Sequence, residues 1–139
     1  MYALLREYLA RQRIGTALVA PADVVFSPAR AVQPDVFVVP LNDGRRAECF
    51  ADVGRLLVAI EVLSATSARA DRVAKRMMYR DVGVGEYWIV DLDARTVERS
   101  TPHEARPEIL VEQLGWSPEG ADDPFRVDLT AYFAAILDS

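Results

Sequence analysis

Apolar residues along the chain switch between a spacing of three to four and short near-continuous runs, and the order of those switches predicts the architecture. Leu4, Leu5, Tyr8 and Leu9 recur at helical spacing, which predicts a short helix from residue 2 to about 12. TALVAPADVVFS reads as two short strands turned at Pro21-Ala22-Asp23, Pro28 to Pro34 as irregular, and VFVV as a third strand. A loop from Pro40 to Asp52, carrying Asn42-Asp43-Gly44, leads into LLVAIEVL, an apolar run of the kind that suits a strand buried on both faces. From about Ser67 to Gly83 the pattern turns helical, with Ala70, Val73, Ala74, Met77 and Met78 on one arc, the arginines on the other side, and Gly83 as the stop. EYWIVD is rich in aromatic and β-branched residues and predicts a strand, Leu92 to Arg95 a turn, and TVERS its returning partner. EILVEQL predicts one more strand, and DLTAYFAAIL a closing helix with Asp128 as its cap. Strand, helix, strand implies a right-handed crossover between parallel neighbours. The fold class is therefore α/β, a mixed β-sheet flanked by helices, expected as one domain over residues 1–139.

Composition narrows the chemistry. The chain is 51% hydrophobic and 27% charged, with no apolar run near the roughly 20 residues of a membrane span. MYALLREYLARQR lacks the layout of a secretion signal, so the expected location is the cytoplasm. Cys49 and His103, the only cysteine and histidine, are too few for a thiolate or imidazole cluster, so any metal must sit on oxygen. A net charge of −5 argues against indiscriminate nucleic-acid binding. Against that, Arg69, Arg72, Lys75, Arg76 and Arg80 are close enough in sequence to make a local basic surface.

Glu61 interrupts LLVAIEVL where its neighbours are apolar. A buried ionised carboxylate must be paired, hydrogen-bonded or bound to a cation, so Glu61 is either a strand-end ion-pair partner or a metal ligand. Asp35 follows Pro34, which forces an extended entry into VFVV; alone, the dipeptide is usually ordinary turn chemistry. Together, a strand beginning at Asp35 and an antiparallel neighbour ending near Glu61 would bring two carboxylates to one end of the sheet, a donor set that suits magnesium. Asp71, Lys75 and Tyr79 then share one helical ridge, which reads either as an exposed helix pair or as a lysine leaning over the end of the Glu61 strand.

QPDVFVV, LLVAIEVLS and the stretch from Asp71 through YWIVD, with Asp71, Lys75, Tyr79, Gly83, Glu86, Tyr87, Trp88 and Asp91 matching in type and spacing, resemble the Uma-two family, a branch of the PD-(D/E)XK nuclease superfamily. The resemblance implies a restriction endonuclease-like fold and a DNA endonuclease dependent on Mg2+, with Mn2+ as a substitute. It implies Asp35, Glu61 and the carbonyl of Val62 as metal ligands, and Asp35, Glu61 and Lys75 as the catalytic set. The lysine that the superfamily carries two positions beyond the strand carboxylate is replaced here by Leu63, so its role passes to Lys75 on the helix, supported by Asp71 and Tyr79. Arg69, Arg72, Arg76 and Arg80 would hold flanking phosphates, or else form a solvated helix face. Tyr87 and Trp88, inside an apolar strand, read as sheet core rather than base-stacking platforms.

Family members carry further residues before the segment that begins here, so part of the N-terminal edge of the sheet is expected to be missing. That expectation motivates the alternative of a degenerate, non-cleaving member that binds nucleic acid or protein, or pairs with a second copy as a homodimer scaffold. Sequence recognition would fall to loops such as residues 40 to 55, or to a partner.

Overall fold

A computed structural model describes residues 1–19, 24–27, 30–32, 34–41, 56–63 and 69–138. Helix α1 (Tyr2–Gln12) leads into strands β1 (Gly15–Val19), β2 (Val24–Ser27), β3 (Arg30–Val32), β4 (Val36–Pro40) and β5 (Val58–Leu63). Helix α2 (Arg69–Asp81) connects β5 to β6 (Glu86–Asp91), and β7 (Thr96–Ser100), β8 (Glu108–Leu110), β9 (Gln113–Trp116), β10 (Phe125–Asp128) and α3 (Leu129–Leu137) follow. Six strands form one sheet in the order β1-β4-β5-β6-β7-β8. Among the described strands only the β5/β6 pair is parallel, as a strand, helix, strand connection requires.

The period-two alternation of the strands divides the core between the two faces of the sheet. On one face Val36, Val38, Val58, Ile60, Trp88 and Val90 pack with Leu5, Tyr8 and Leu9 of α1, Leu129 and Phe133 of α3, and Trp116 and Phe125 of the β9/β10 ribbon. Trp88 stacks on Phe125 at 6.2 Å and meets Trp116 edge-on at 5.7 Å. Trp88 is therefore core, as its apolar strand predicts. On the other face Phe37, Val39, Ala59, Tyr87 and Ile89 pack with Tyr79 of α2 and with Leu56 and Val84. Crowding between β5 and β6 explains Gly85, where an added Cβ would stand 2.5 Å from the Leu57 carbonyl oxygen. Gly83 ends α2 with φ +82°, a conformation a side chain would strain.

Several boundaries differ from the sequence expectation. Residues 30–32, expected as irregular, form β3 and pair with β2 in a separate ribbon. EILVEQL is two strands, because the chain bends at Val111 and Glu112 and leaves the main sheet to pair with β10. β10 itself alternates buried Phe125 and Val127 with exposed Arg126 and Asp128, a pattern too short to register. Asp128 caps α3 as expected, accepting a hydrogen bond from the Ala131 amide at 3.1 Å. The expected turn at Pro21-Ala22-Asp23 and most of the loop to Asp52, with Cys49, lie outside the described residues.

Helix α2 is rotated relative to expectation. Val73 and Met77, expected against the core, are 42% and 47% exposed. The inward face instead carries Arg72, Lys75, Arg76 and Tyr79, at helical spacing. The cause lies in the sheet, whose α2 face presents three carboxylates. Arg72 pairs with Asp91 at 2.8 Å and Glu98 at 3.7 Å, Arg76 with Glu98 at 4.0 Å, and Lys75 with Glu61 at 3.0 Å. Turning the apolar arc inward would leave those carboxylates desolvated and unpaired, a larger penalty than exposing two aliphatic side chains.

Candidate functional site

The β4/β5 ladder pairs Val36 with Ile60, so one step further along the register Asp35 stands across from Glu61. Directly opposed residues of an antiparallel pair share a face, and both carboxylates therefore lie on the α2 side of the sheet end. Asp35 is exposed and Glu61 only 6% exposed. Each is held by the backbone or by a side chain from a neighbouring element. Asp35 Oδ2 accepts the Val62 amide at 2.7 Å. Glu61 Oε1 accepts from Lys75 Nζ at 3.0 Å, and Glu61 Oε2 from the buried Tyr87 hydroxyl at 2.7 Å. The structure thus brings together Asp35, Glu61, Val62 and Lys75, the four residues at the centre of the expected site.

Backbone geometry adds an oxygen to this group. The Leu63 carbonyl accepts the Leu92 amide of the chain following β6, so residue 63 points its backbone polar groups toward β6. Val62, one residue earlier, points its own toward β4, as its bond to Asp35 requires. The ladder partner of Val62 in the continued register is Pro34, which has no N–H to give. Pro34 therefore cannot donate to the Val62 carbonyl, which lies at the β4 edge where Asp35 stands. Two carboxylates and a carbonyl are hard oxygen donors of the type and number that magnesium accepts while retaining waters. Among the described residues no third acidic, imidazole or thiolate side chain joins them. The residues present fit a small divalent cation.

Two tyrosines wall the site. Tyr79 and Tyr87 pack ring to ring at 4.6 Å. Burial, followed by the nearby Glu61 and Asp35 charges, pushes the Tyr79 phenol far above its ordinary range. Burial, followed by the hydrogen bond to Glu61, does the same to Tyr87. Both stay protonated donors at any physiological pH. The Tyr79 hydroxyl is buried with no hydrogen-bond partner among the described residues, which costs about 1–3 kcal/mol unless something accepts from it. Tyr87 is sheet core as expected, but its hydroxyl is also a partner of Glu61, which the core reading passed over. The signal was parity: Tyr87 pairs with Ala59 and so faces the same way as Glu61 two residues on.

The remaining expected residues separate. Arg72 and Arg76 are only 27% and 24% exposed and pair with Asp91 and Glu98 on the sheet, whereas the sequence pattern puts them on the outer side of the helix. Asp91 also anchors the next turn, accepting the Asp93 and Ala94 amides at 3.1 and 3.0 Å. Arg80 is exposed near the end of α2. Arg69 and Asp71 lie in the first turn of α2, and their side chains fall outside the described residues. Among the described residues no helix is long and apolar enough to cross a membrane.

A family model described as "Uma2: Putative restriction endonuclease" matches residues 1–124. The fold superposes on a crystal structure described as "a putative nuclease belonging to DUF820 from Anabaena variabilis ATCC 29413", with a TM-score of 0.76 and 20% identity over 98% of this chain and 77% of that one. No curated protein matches the chain. The structural likeness establishes a mixed α/β fold of the nuclease-like type.

Proposed function

The chain belongs to the Uma2 family, described as putative restriction endonucleases, and from that premise we propose that it is a metal-dependent nuclease that hydrolyses phosphodiester bonds in DNA. The observation that carries the reading is the convergence of Asp35, Glu61, the Val62 carbonyl and Lys75 at one end of the sheet. A magnesium ion held by Asp35, Glu61 and the Val62 carbonyl, or manganese in its place, would acidify a water and stabilise charge on the phosphate oxygens.

The chain's own groups do the rest. Lys75, 41% exposed at its side chain and reaching across from α2, is placed to hold the attacking water or to neutralise charge that develops on the phosphate. Its helical position compensates for Leu63, which has no donor to offer from the strand. The Tyr79 hydroxyl, buried near the two carboxylates and without a partner among the described residues, supplies a neutral donor to an oxygen arriving in the site. Water adds to phosphorus, one P–O ester bond breaks, and the leaving oxygen takes up a proton. Positioning and electrostatics carry such a reaction, so a rigid sheet end is a suitable platform.

The test is incubation of the purified chain with supercoiled and single-stranded DNA in magnesium or manganese, beside Glu61→Gln as the control for contaminating activity. Cleavage that disappears with the substitution supports the reading. A folded chain that cleaves nothing in either metal refutes it in favour of a non-cleaving binder or a dimeric scaffold, which retention of DNA at low salt and sedimentation would separate.

A further inference from the structure

Glu61 has two oxygens, and they are not equivalent. Oε1 faces Lys75, whose side chain is 41% exposed and can swing away. Oε2 is capped at 2.7 Å by the Tyr87 hydroxyl, whose residue is 2% exposed and whose ring packs against that of Tyr79. A phenol in that position cannot rotate out without disturbing the core cluster on the α2 face, to which Ala59, Ile89 and Val84 also belong. A cation arriving at Glu61 can displace the ammonium from Oε1 but meets a fixed O–H at Oε2.

We propose that Tyr87 is a specificity-determining residue that makes Glu61 a one-oxygen ligand and so selects a small octahedral cation over a large one. The inference rests on the nuclease reading above only in requiring that a divalent cation binds at Asp35 and Glu61. Magnesium takes carboxylates through a single oxygen at short distance, with near-ideal octahedral geometry. Calcium takes six to eight oxygens and commonly draws both from one carboxylate. The Tyr87 hydroxyl holds one lone pair of the second oxygen of the more buried ligand, and the Val62 amide holds one of Asp35 Oδ2, so chelation through both oxygens is disfavoured at either carboxylate. Two carboxylates that each offer one oxygen suit magnesium and leave calcium short of ligands.

The test is calorimetric titration of magnesium and of calcium into the wild-type chain and into Tyr87→Phe, which keeps the ring and removes the cap. Partners that orient a ligand typically change metal affinity about 10- to 100-fold when removed, so the calcium-to-magnesium affinity ratio should rise about tenfold or more in Tyr87→Phe. An unchanged ratio, in a variant that melts within a few degrees of the wild type, overturns the proposal and leaves the nuclease reading standing. A wild type that binds neither ion overturns both.

A second measurement needs no variant. In the infrared difference spectrum of the wild type on adding magnesium, a one-oxygen carboxylate separates its two C–O stretches more widely than the free ion does, whereas a two-oxygen ligand narrows them. Because the Tyr87 hydrogen bond on the free oxygen offsets part of the widening, a separation at or above the free-ion value supports the proposal and a clear narrowing below it refutes it, even if Tyr87→Phe fails to fold.

Discussion

Replacing Lys75 by Met separates metal binding from catalysis, because the ammonium that the proposed reaction needs also occupies the oxygen that the cation needs. Lys75 Nζ lies 3.0 Å from Glu61 Oε1. A charge-assisted bond at that distance contributes about 1.5–3 kcal/mol when enclosed. Here the lysine is 41% exposed and Glu61 only 8% at the side chain, so solvent screening lowers the figure to about 1–2 kcal/mol. In metal-free solution Lys75→Met should therefore lose about 1–2 kcal/mol of stability, a fall in Tm of roughly 3–8 °C for a chain of this size. In magnesium the order of effects reverses, since the cation no longer has to displace an ammonium. Affinity should rise by about 5- to 30-fold, the equivalent of that same free energy. The assay is differential scanning calorimetry in EDTA and across a magnesium series, with DNA cleavage read on the same samples. The interval between the EDTA and magnesium melting temperatures should widen while cleavage is lost. A narrower interval, or undiminished cleavage, would refute the exchange.

Other substitutions probe the frame around the site. Glu61→Gln keeps an acceptor for Tyr87 but offers no charge to a cation, so magnesium should no longer raise Tm, and a persisting rise would place the ion elsewhere. Asp91→Asn tests acid sensitivity. Burial opposes ionisation of Asp91, but the Ala94 and Asp93 amides and the Arg72 guanidinium outweigh it and hold its pKa below the ordinary 3.8. A depressed carboxyl contributes stability in full above its unfolded value and loses it as pH falls through the folded one. The Tm difference between wild type and Asp91→Asn should accordingly be constant near neutrality and shrink below about pH 4. Trp88→Ala should cost about 3–5 kcal/mol in chemical denaturation, as it opens a cavity between the sheet and the β9/β10 ribbon; a loss under 1 kcal/mol would contradict the packing.

The central part of the fold was legible because its strands are buried on both faces and so read as continuous apolar runs. VFVV, LLVAIEVL and EYWIVD announce β4, β5 and β6, and the polar interruption of the second run points to Glu61. β3 and β10 escaped because three or four residues give too few alternations to distinguish a strand from a turn. The orientation of α2 could not be read from the helix alone. Its apolar arc is real, but what decides its direction is the charge on the sheet it packs against, and Glu61, Asp91 and Glu98 converge only once β5, β6 and β7 are side by side. Tyr87 was hidden for a related reason, being a core side chain along its length and a hydrogen-bond donor at its tip.

Pro34 places function and stability in opposition. A residue with an N–H at that position could complete one more rung with the Val62 carbonyl, lengthening the β4/β5 ladder at the point where the proline now stops it. Pro34→Ala should then give a sheet end that exchanges amide hydrogens more slowly yet holds magnesium less tightly, because the rung would engage the carbonyl of the proposed metal site. The proline keeps the sheet unfinished on the side of the proposed metal site, and the selective value of that residue would lie in the bond it fails to make.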